Sequence, residues 1–177
     1  MKIEIFSANF FFAVLATLLL TGCVNIPREI QGKTETPKQN LNLIKNTPRA
    51  FIGQEGRFGG TVVNVTNERQ RTRLEITSIP LDRNAKPMLT EPSQGRIIAY
   101  VNAFLTPADF QYRLVTVIGT ISGVETGKIG TVPYDFIVIN ASGYKRWYST
   151  EQMIMESVLM EPLNHRQRDK IQSIFNH

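Results

Sequence analysis

Between Arg71 and Ser78 the chain alternates strictly, with Thr72, Leu74 and Ile76 on one side and Arg71, Arg73 and Glu75 on the other. A period of two places successive side chains on opposite faces of an extended strand, so this stretch reads as β-strand with one face in a core and the other in water. Such a strand needs neighbours along its edges and an apolar layer beneath it, which commits the chain to a packed β domain. Four further strands are expected: Phe58 to Val65, Arg96 to Val101, Leu114 to Val124 and Tyr134 to Ala141. The Gly59-Gly60 pair suggests a bulge or sharp bend in the first. Asn67 to Gln70 and Gly127 to Gly130 read as turns, and Pro80, Pro87 and Pro92 interrupt the long connection after the second strand. Thr106 followed by Pro107 marks the start of a short helix.

Three strands, a short helix and two more strands is the order of an OB-fold. The expected class is all-β dominated: a small antiparallel OB-like barrel of about five strands with a short helix and a C-terminal helical tail. Another small antiparallel barrel or a sandwich is the competing topology.

An apolar run from Phe10 to Leu20 ends in Leu20-Thr21-Gly22-Cys23, which holds the only cysteine of the chain. A run of this length suits the apolar region of a secretory signal, whereas a membrane-spanning helix needs about 20 apolar residues. The alternative is an ordinary free cysteine after an apolar segment. The stretch resembles the lipobox of bacterial lipoproteins. That resemblance implies cleavage before Cys23 and a covalent N-acyl and S-diacylglycerol lipid on it, with no other cofactor expected. Each buried CH2 of an acyl chain contributes about 0.8 kcal/mol, and two or more chains anchor stably. Val24 stands where an inner-membrane retention signal carries aspartate, so the lipobox resemblance further implies the outer membrane, on its periplasmic face. A lipidated Cys23 leaves no intramolecular disulfide, and the fold rests on packing alone.

Removing the first 22 of the 177 residues leaves 155, enough for one domain with a sizeable core. The expected organisation is a signal peptide over 1–22, a lipidated N-terminus and flexible tether over 23–48, a barrel over 49–148 and a helical tail over 149–177. The tether reading follows from Pro27, Gly32, Pro37 and Pro48 among polar residues, with Leu41, Leu43 and Ile44 available as a short docking turn. A net charge of +5 fits anionic membrane surfaces or acidic glycans and equally mere solubility.

Histidine occurs only at His165 and His177, and no second cysteine exists, which argues against a zinc site or a cysteine nucleophile. No serine stands in a G-x-S-x-G turn. Glu75, Asp82, Asp109, Glu125 and Asp135 are scattered one per segment, so a glycan-cleaving pair would need two of them to converge. The expected protein is not an enzyme. The basic residues are more suggestive: Arg69, Arg71 and Arg73 alternate, and Arg57, Phe58, Arg96 and Tyr100 lie on neighbouring strands. Arg69, Arg71, Arg73, Arg96 and Tyr100 are the candidate anionic-ligand site, since the strand-two and strand-three face of an OB-fold binds oligomers. The competing reading is a solvated face whose charges deter edge pairing. Lys145-Arg146-Trp147-Tyr148 is either a membrane-contacting edge or the place where Trp147 closes the barrel. Gly127-Lys128-Ile129-Gly130 lacks the features of a phosphate loop.

Gly59-Gly60-Thr61-Val62-Val63-Asn64-Val65, Thr72-Arg73-Leu74-Glu75-Ile76, Pro92-Ser93-Gln94-Gly95-Arg96-Ile97-Ile98-Ala99-Tyr100-Val101 and Gly143-Tyr144-Lys145-Arg146-Trp147 together resemble stretches of the Slp family, the starvation-inducible outer-membrane lipoproteins. The resemblance runs from the lipobox to about Trp147. It implies a lipid-anchored outer-membrane protein tied to starvation or stationary-phase physiology and supplies no catalytic residues. The expected function is therefore non-enzymatic, in envelope maintenance or stress. A binding module for envelope glycan, lipid phosphate or a partner lipoprotein is the alternative, and nucleic acid is not an expected partner.

Overall fold

The computed structural model describes residues 25–148. The signal peptide, Cys23 and the tail expected over 149–177 lie outside the described residues. The strands are β1 (Glu55–Asn67), β2 (Thr72–Ile79), β3 (Gly95–Val101), β4 (Leu114–Ile129) and β5 (Val132–Trp147), with two short helices, α1 (Leu41–Asn46) and α2 (Pro107–Phe110). All five expected strands are present. β4 and β5 run well past their expected ends, because Gly127 and Lys128 continue the ladder and the reversal falls at Gly130, whose φ is +61°.

The sheet closes on itself in the order β1-β2-β3-β5-β4. β1 serves two neighbours: Glu55 to Thr61 pair with β4 and Gly59 to Asn67 with β2. Four pairings are antiparallel, but β3 and β5 run parallel from Ile97↔Ile137 to Val101↔Ala141, which corrects the expectation of an antiparallel barrel. The reason is parity. Each antiparallel pairing reverses strand direction, and a ring of five strands cannot close on an odd number of reversals. The register shift in β1 falls between Val62 and Asn64 rather than at the glycine pair. Gly60 instead permits close approach, since a Cβ there would overlap the Thr77 carbonyl of β2.

The alternation expected between Arg71 and Ser78 is realised on β2, where Thr72, Leu74 and Ile76 are buried. They join Phe58, Val62, Ile97, Ala99, Val117, Ile121, Ile137 and Ile139 in the barrel core. α2 covers one end through Phe110, which meets Tyr144 edge-on at 5.7 Å. Thr106 precedes it with Pro107 at the first helical position, although its side chain makes no cap hydrogen bond.

The largest departure from expectation is the segment read as a flexible tether. Ile30, Leu41 and Ile44 are buried at 0%, 0% and 1% exposure, so the chain before Pro48 is packed against the barrel and not free of it. A 3-10 turn carries Ile30. α1 starts at Asn40, whose Oδ1 accepts from the Leu43 amide at 3.0 Å, and buries Leu41 and Ile44 while leaving Leu43 exposed. The Lys38 amide donates to the Glu55 carbonyl at 2.9 Å, and the Arg57 amide donates to the Lys38 carbonyl at 2.8 Å, tying this segment to the edge of β1. Only Leu41 and Ile44 stand at helical spacing and Ile30 lies apart from them among prolines, which is why composition alone suggests a tether.

Candidate functional site

The expected ligand face is the outer surface of β2 and β3. β2 presents Arg73 and Glu75 outward, opposite its core residues. Glu75 pairs in register with Ile98 of β3, and Ile98 with Val138 of β5. Arg96 and Tyr100 flank Ile98 at two-residue spacing and so share its face. Ile98 and Val138 are nonetheless buried. The charged residues of this surface thus surround an apolar patch.

They also satisfy one another. Arg96 Nη1 donates to Glu75 Oε1 at 2.7 Å, and Arg73 Nη1 lies 3.9 Å from Glu75 Oε2. Arg73 Nη2 donates to Glu125 Oε1 at 3.1 Å, while Tyr100 Oη donates to Glu125 Oε2 at 2.8 Å. The Arg71 guanidinium stacks over the Tyr100 ring at 3.6 Å, and its Nε donates to Glu68 at 2.6 Å. Burial, with the hydrogen bond and charge of Glu125, raises the Tyr100 phenol above its ordinary value. The hydrogen bond to Glu68 raises Arg71. Three arginines therefore meet three glutamates in a continuous, formally neutral lattice. An incoming anion would compete with Glu68, Glu75 and Glu125 for these guanidiniums.

The remaining candidates are dispersed. Arg69 is exposed in the β1–β2 turn and not on the strand face, because the Glu68 amide bonds to the Arg71 carbonyl and reverses the chain between them. Phe58 lies in the core. Arg57 is 3% exposed on the opposite side of the barrel, where its Nε donates to the Ile30 carbonyl at 2.8 Å and its Nη2 to the Gln31 carbonyl at 2.6 Å. Burial lowers its guanidinium, partly offset by Glu55. Glu55 accepts from the Lys33 and Thr34 amides and the Thr34 hydroxyl at 2.7–3.0 Å. Burial alone would raise the Glu55 carboxyl, but these hydrogen bonds and Arg57 outweigh it and hold it below the ordinary range. Sequence reasoning missed this pair as the clamp on the N-terminal segment. The signal available was Glu55 and Arg57 bracketing a glycine at the start of a strand.

Among the carboxylates weighed for glycan cleavage, Glu75 and Glu125 do converge, but both are spent on Arg73. Asp109 pairs with Arg146 at 3.6 Å, Asp135 accepts from Thr126, and Asp82 accepts from the Asn84 and Lys86 amides of its own loop. No cluster of metal-ligating side chains occurs among the described residues. No helix among them is long and apolar enough to cross a membrane.

Trp147 packs with Ile26 and Leu81 against a second buried cluster of Ile30, Ala85 and Ile118. Its Nε1 donates to Thr116 Oγ1 at 2.9 Å, and that hydroxyl donates to the Ala85 carbonyl at 2.7 Å. Trp147 thus secures elements laid over the outside of the barrel rather than offering a free interfacial ring.

The outer membrane lipoprotein Slp family matches residues 20–169. A protein of Escherichia coli (strain K12) named uncharacterized lipoprotein YeaY is 51% identical over 145 residues, covering 82% of this chain and 75% of that protein. Outer membrane protein Slp of the same strain is 39% identical over 136 residues, covering 76% of this chain and 72% of its own length. A Haemophilus influenzae protein without a functional name is 33% identical over 136 residues, covering 72% and 70%.

Proposed function

This chain belongs to the Slp family of outer membrane lipoproteins, and from that premise we propose that it is a non-enzymatic protein of the periplasmic face, anchored through lipid on Cys23. Its folded part is an OB-type barrel, and its role lies in envelope maintenance during starvation or stationary phase. The observation that carries the non-enzymatic, structural reading is the neutral lattice. Arg71, Arg73 and Arg96 each hold a glutamate, and the two convergent carboxylates hold an arginine between them. A face so paired contributes rigidity, and its two convergent carboxylates are engaged by arginine instead of standing as a free acid and base pair.

A second reading, a binding module for envelope glycan, lipid phosphate or a partner lipoprotein, is favoured by a different surface. Phe104 and Tyr112, on the connections flanking α2, are 78% and 73% exposed. Tyr112 is held at a φ of +62° while its amide donates to the Val62 carbonyl. The left-handed backbone at Tyr112 is a local cost that a contact through its exposed ring would offset. The separating experiment is crosslinking in intact envelopes followed by isolation of the wild-type chain, of Phe104→Ser/Tyr112→Ser, and of a Cys23→Ser control. A saturable ligand lost in the aromatic variant supports the module. Stationary-phase envelope defects on deletion, rescued equally by wild type and aromatic variant and not by Cys23→Ser, support the structural role. Wild-type chain that takes up no labelled fatty acid refutes the anchor.

A further inference from the structure

The docked N-terminal segment leaves almost no slack between Cys23 and the barrel. Ile26 already packs against the cluster of Ile30, Ala85 and Ile118. Three residues of extended chain reach about 11 Å at most, so a lipid on Cys23 holds this side of the barrel within that distance of the headgroups. The same side is cationic. Arg28 is exposed next to Ile26, and the loop that supplies Ala85 presents Arg83 and Lys86 to solvent. None of these three forms an ion pair among the described residues. The loop is rigid in a way that fixes where its cations project. Asp82 Oδ1 accepts from the Asn84 and Lys86 amides at 2.8 Å, Ala85 takes a φ of +63°, and its carbonyl is held by Thr116. A groove of about 380 Å³, bordered by Ile26, Arg28, Lys33 and Glu35, opens beside the exit. Of the carboxylates in this area, Asp82 is turned into its own loop, Glu55 is held by the Lys33 and Thr34 amides, Glu29 pairs with Lys145 at 3.1 Å, and Glu35 is exposed.

We propose that this exit side is the membrane-facing surface of the barrel, and that Arg28, Lys33, Arg83 and Lys86 engage the phosphates of anionic phospholipid headgroups in the leaflet that holds the anchor. The proposal rests on the lipid-anchor reading. A short leash supplies proximity without orientation, and the cations supply orientation, since each cation near an anionic bilayer favours the surface by about 1 kcal/mol, a factor of about five in population.

The full lipidated chain is reconstituted in vesicles of phosphatidylethanolamine and phosphatidylglycerol containing a trace of nickel-chelating lipid. Lipidation of Cys23 is first verified by the mass of the N-terminal peptide; absence of lipid refutes the anchor reading and is thereby distinguished from the outcomes that follow. Spin labels are placed singly at Asn84→Cys, between Arg83 and Lys86, and at Thr131→Cys in the β4–β5 turn. Relaxation by the nickel lipid is expected to be several-fold stronger at position 84. In the Arg28→Gln/Arg83→Gln/Lys86→Gln background the preference for the docked orientation falls about fivefold for each cation lost, and phosphatidylcholine vesicles give the same collapse. Equal relaxation at the two labels overturns the orientation. A difference that survives the triple substitution unchanged overturns recognition of headgroup phosphate.

Discussion

Arg57 is the residue whose loss separates a docked N-terminal segment from a loose one. Its guanidinium makes two charge-assisted hydrogen bonds to the carbonyls of Ile30 and Gln31, 2.8 and 2.6 Å long, at a site only 3% exposed. A hydrogen bond to a charged group contributes about 1.5–3 kcal/mol. Arg57→Met removes both and leaves two carbonyls without these donors, while releasing the cost of burying a cation and keeping most of the apolar stem. The net loss is about 2–4 kcal/mol, a fall in Tm of about 6–15 °C for a domain of this size. Arg57→Lys recovers only part of it, because an ammonium cannot serve both carbonyls as the fork does. Urea denaturation of the mature chain carrying Cys23→Ser reads the loss directly. Trp147, the single tryptophan, packs against the cluster that holds Ile30 and so reports the segment itself, whereas circular dichroism reports the strands. In Arg57→Met the tryptophan transition is expected to precede the strand transition, and amide exchange between Ile26 and Lys38 to accelerate first. A loss below about 1 kcal/mol with coincident transitions and unchanged exchange would refute the clamp.

Acid titration gives an independent view of the same region. The folded Glu55 carboxyl lies below its ordinary 4.5, so its contribution is present above that value and is lost as pH falls through the lower folded one; Glu55→Gln should destabilise at neutral pH and reduce the acid dependence of Tm, and an unaltered acid limb contradicts the assignment. In the lattice, Glu125→Gln removes the carboxylate facing Tyr100, and a spectrophotometric titration, identified against Tyr100→Phe, should show that phenol moving back toward 10.0 without reaching it, because burial persists. The stability cost of the same change is about 0.5–1 kcal/mol, as the pair is partly solvated. Gly60→Ala pushes a methyl group onto the Thr77 carbonyl; overpacking against backbone costs about 3 kcal/mol, and a variant with wild-type urea midpoint would show that β1 and β2 are less close than described.

What the sequence revealed tracks how local the determining physics is. β2 was legible because its alternation lies within eight residues, and the burial of Thr72, Leu74 and Ile76 follows it residue by residue. The strand count and the position of α2 were legible for the same reason. The parallel β3–β5 pair was not, since it follows from closing a ring of five and not from any one strand. The docked segment was not legible either, because its partners, Glu55 and Arg57, act from more than twenty residues away. The arginine face was half legible. Periodicity placed Arg73 outward, but whether it is free depends on Glu125, which is 52 positions distant and arrives only because β4 runs past its expected end.

Folding redistributes the basic character of the chain. The basic cluster most visible in sequence, along β2 and β3, is electrically neutral once folded, with Arg71, Arg73 and Arg96 matched by Glu68, Glu75 and Glu125. The surplus lies elsewhere. Between Arg28 and Arg57 six lysines and arginines face three glutamates, and this is the stretch packed nearest the proposed anchor. Fields of exposed charges decay over a Debye length of about 8 Å at physiological salt, so only cations held close to a bilayer feel it. A reach of about 11 Å from Cys23 to Ile26 keeps Arg28 near that range, while a freely extended 26-residue tether over 23–48 would have carried the barrel beyond it. With the proposed anchor on Cys23, docking of the N-terminal segment would couple the clamp to the membrane: Arg57→Met should loosen the orientation of the barrel on anionic vesicles although Arg57 itself is buried. Nickel-lipid relaxation at Asn84→Cys in that background is the measurement, and an undiminished signal would mean that the segment and the membrane surface act independently.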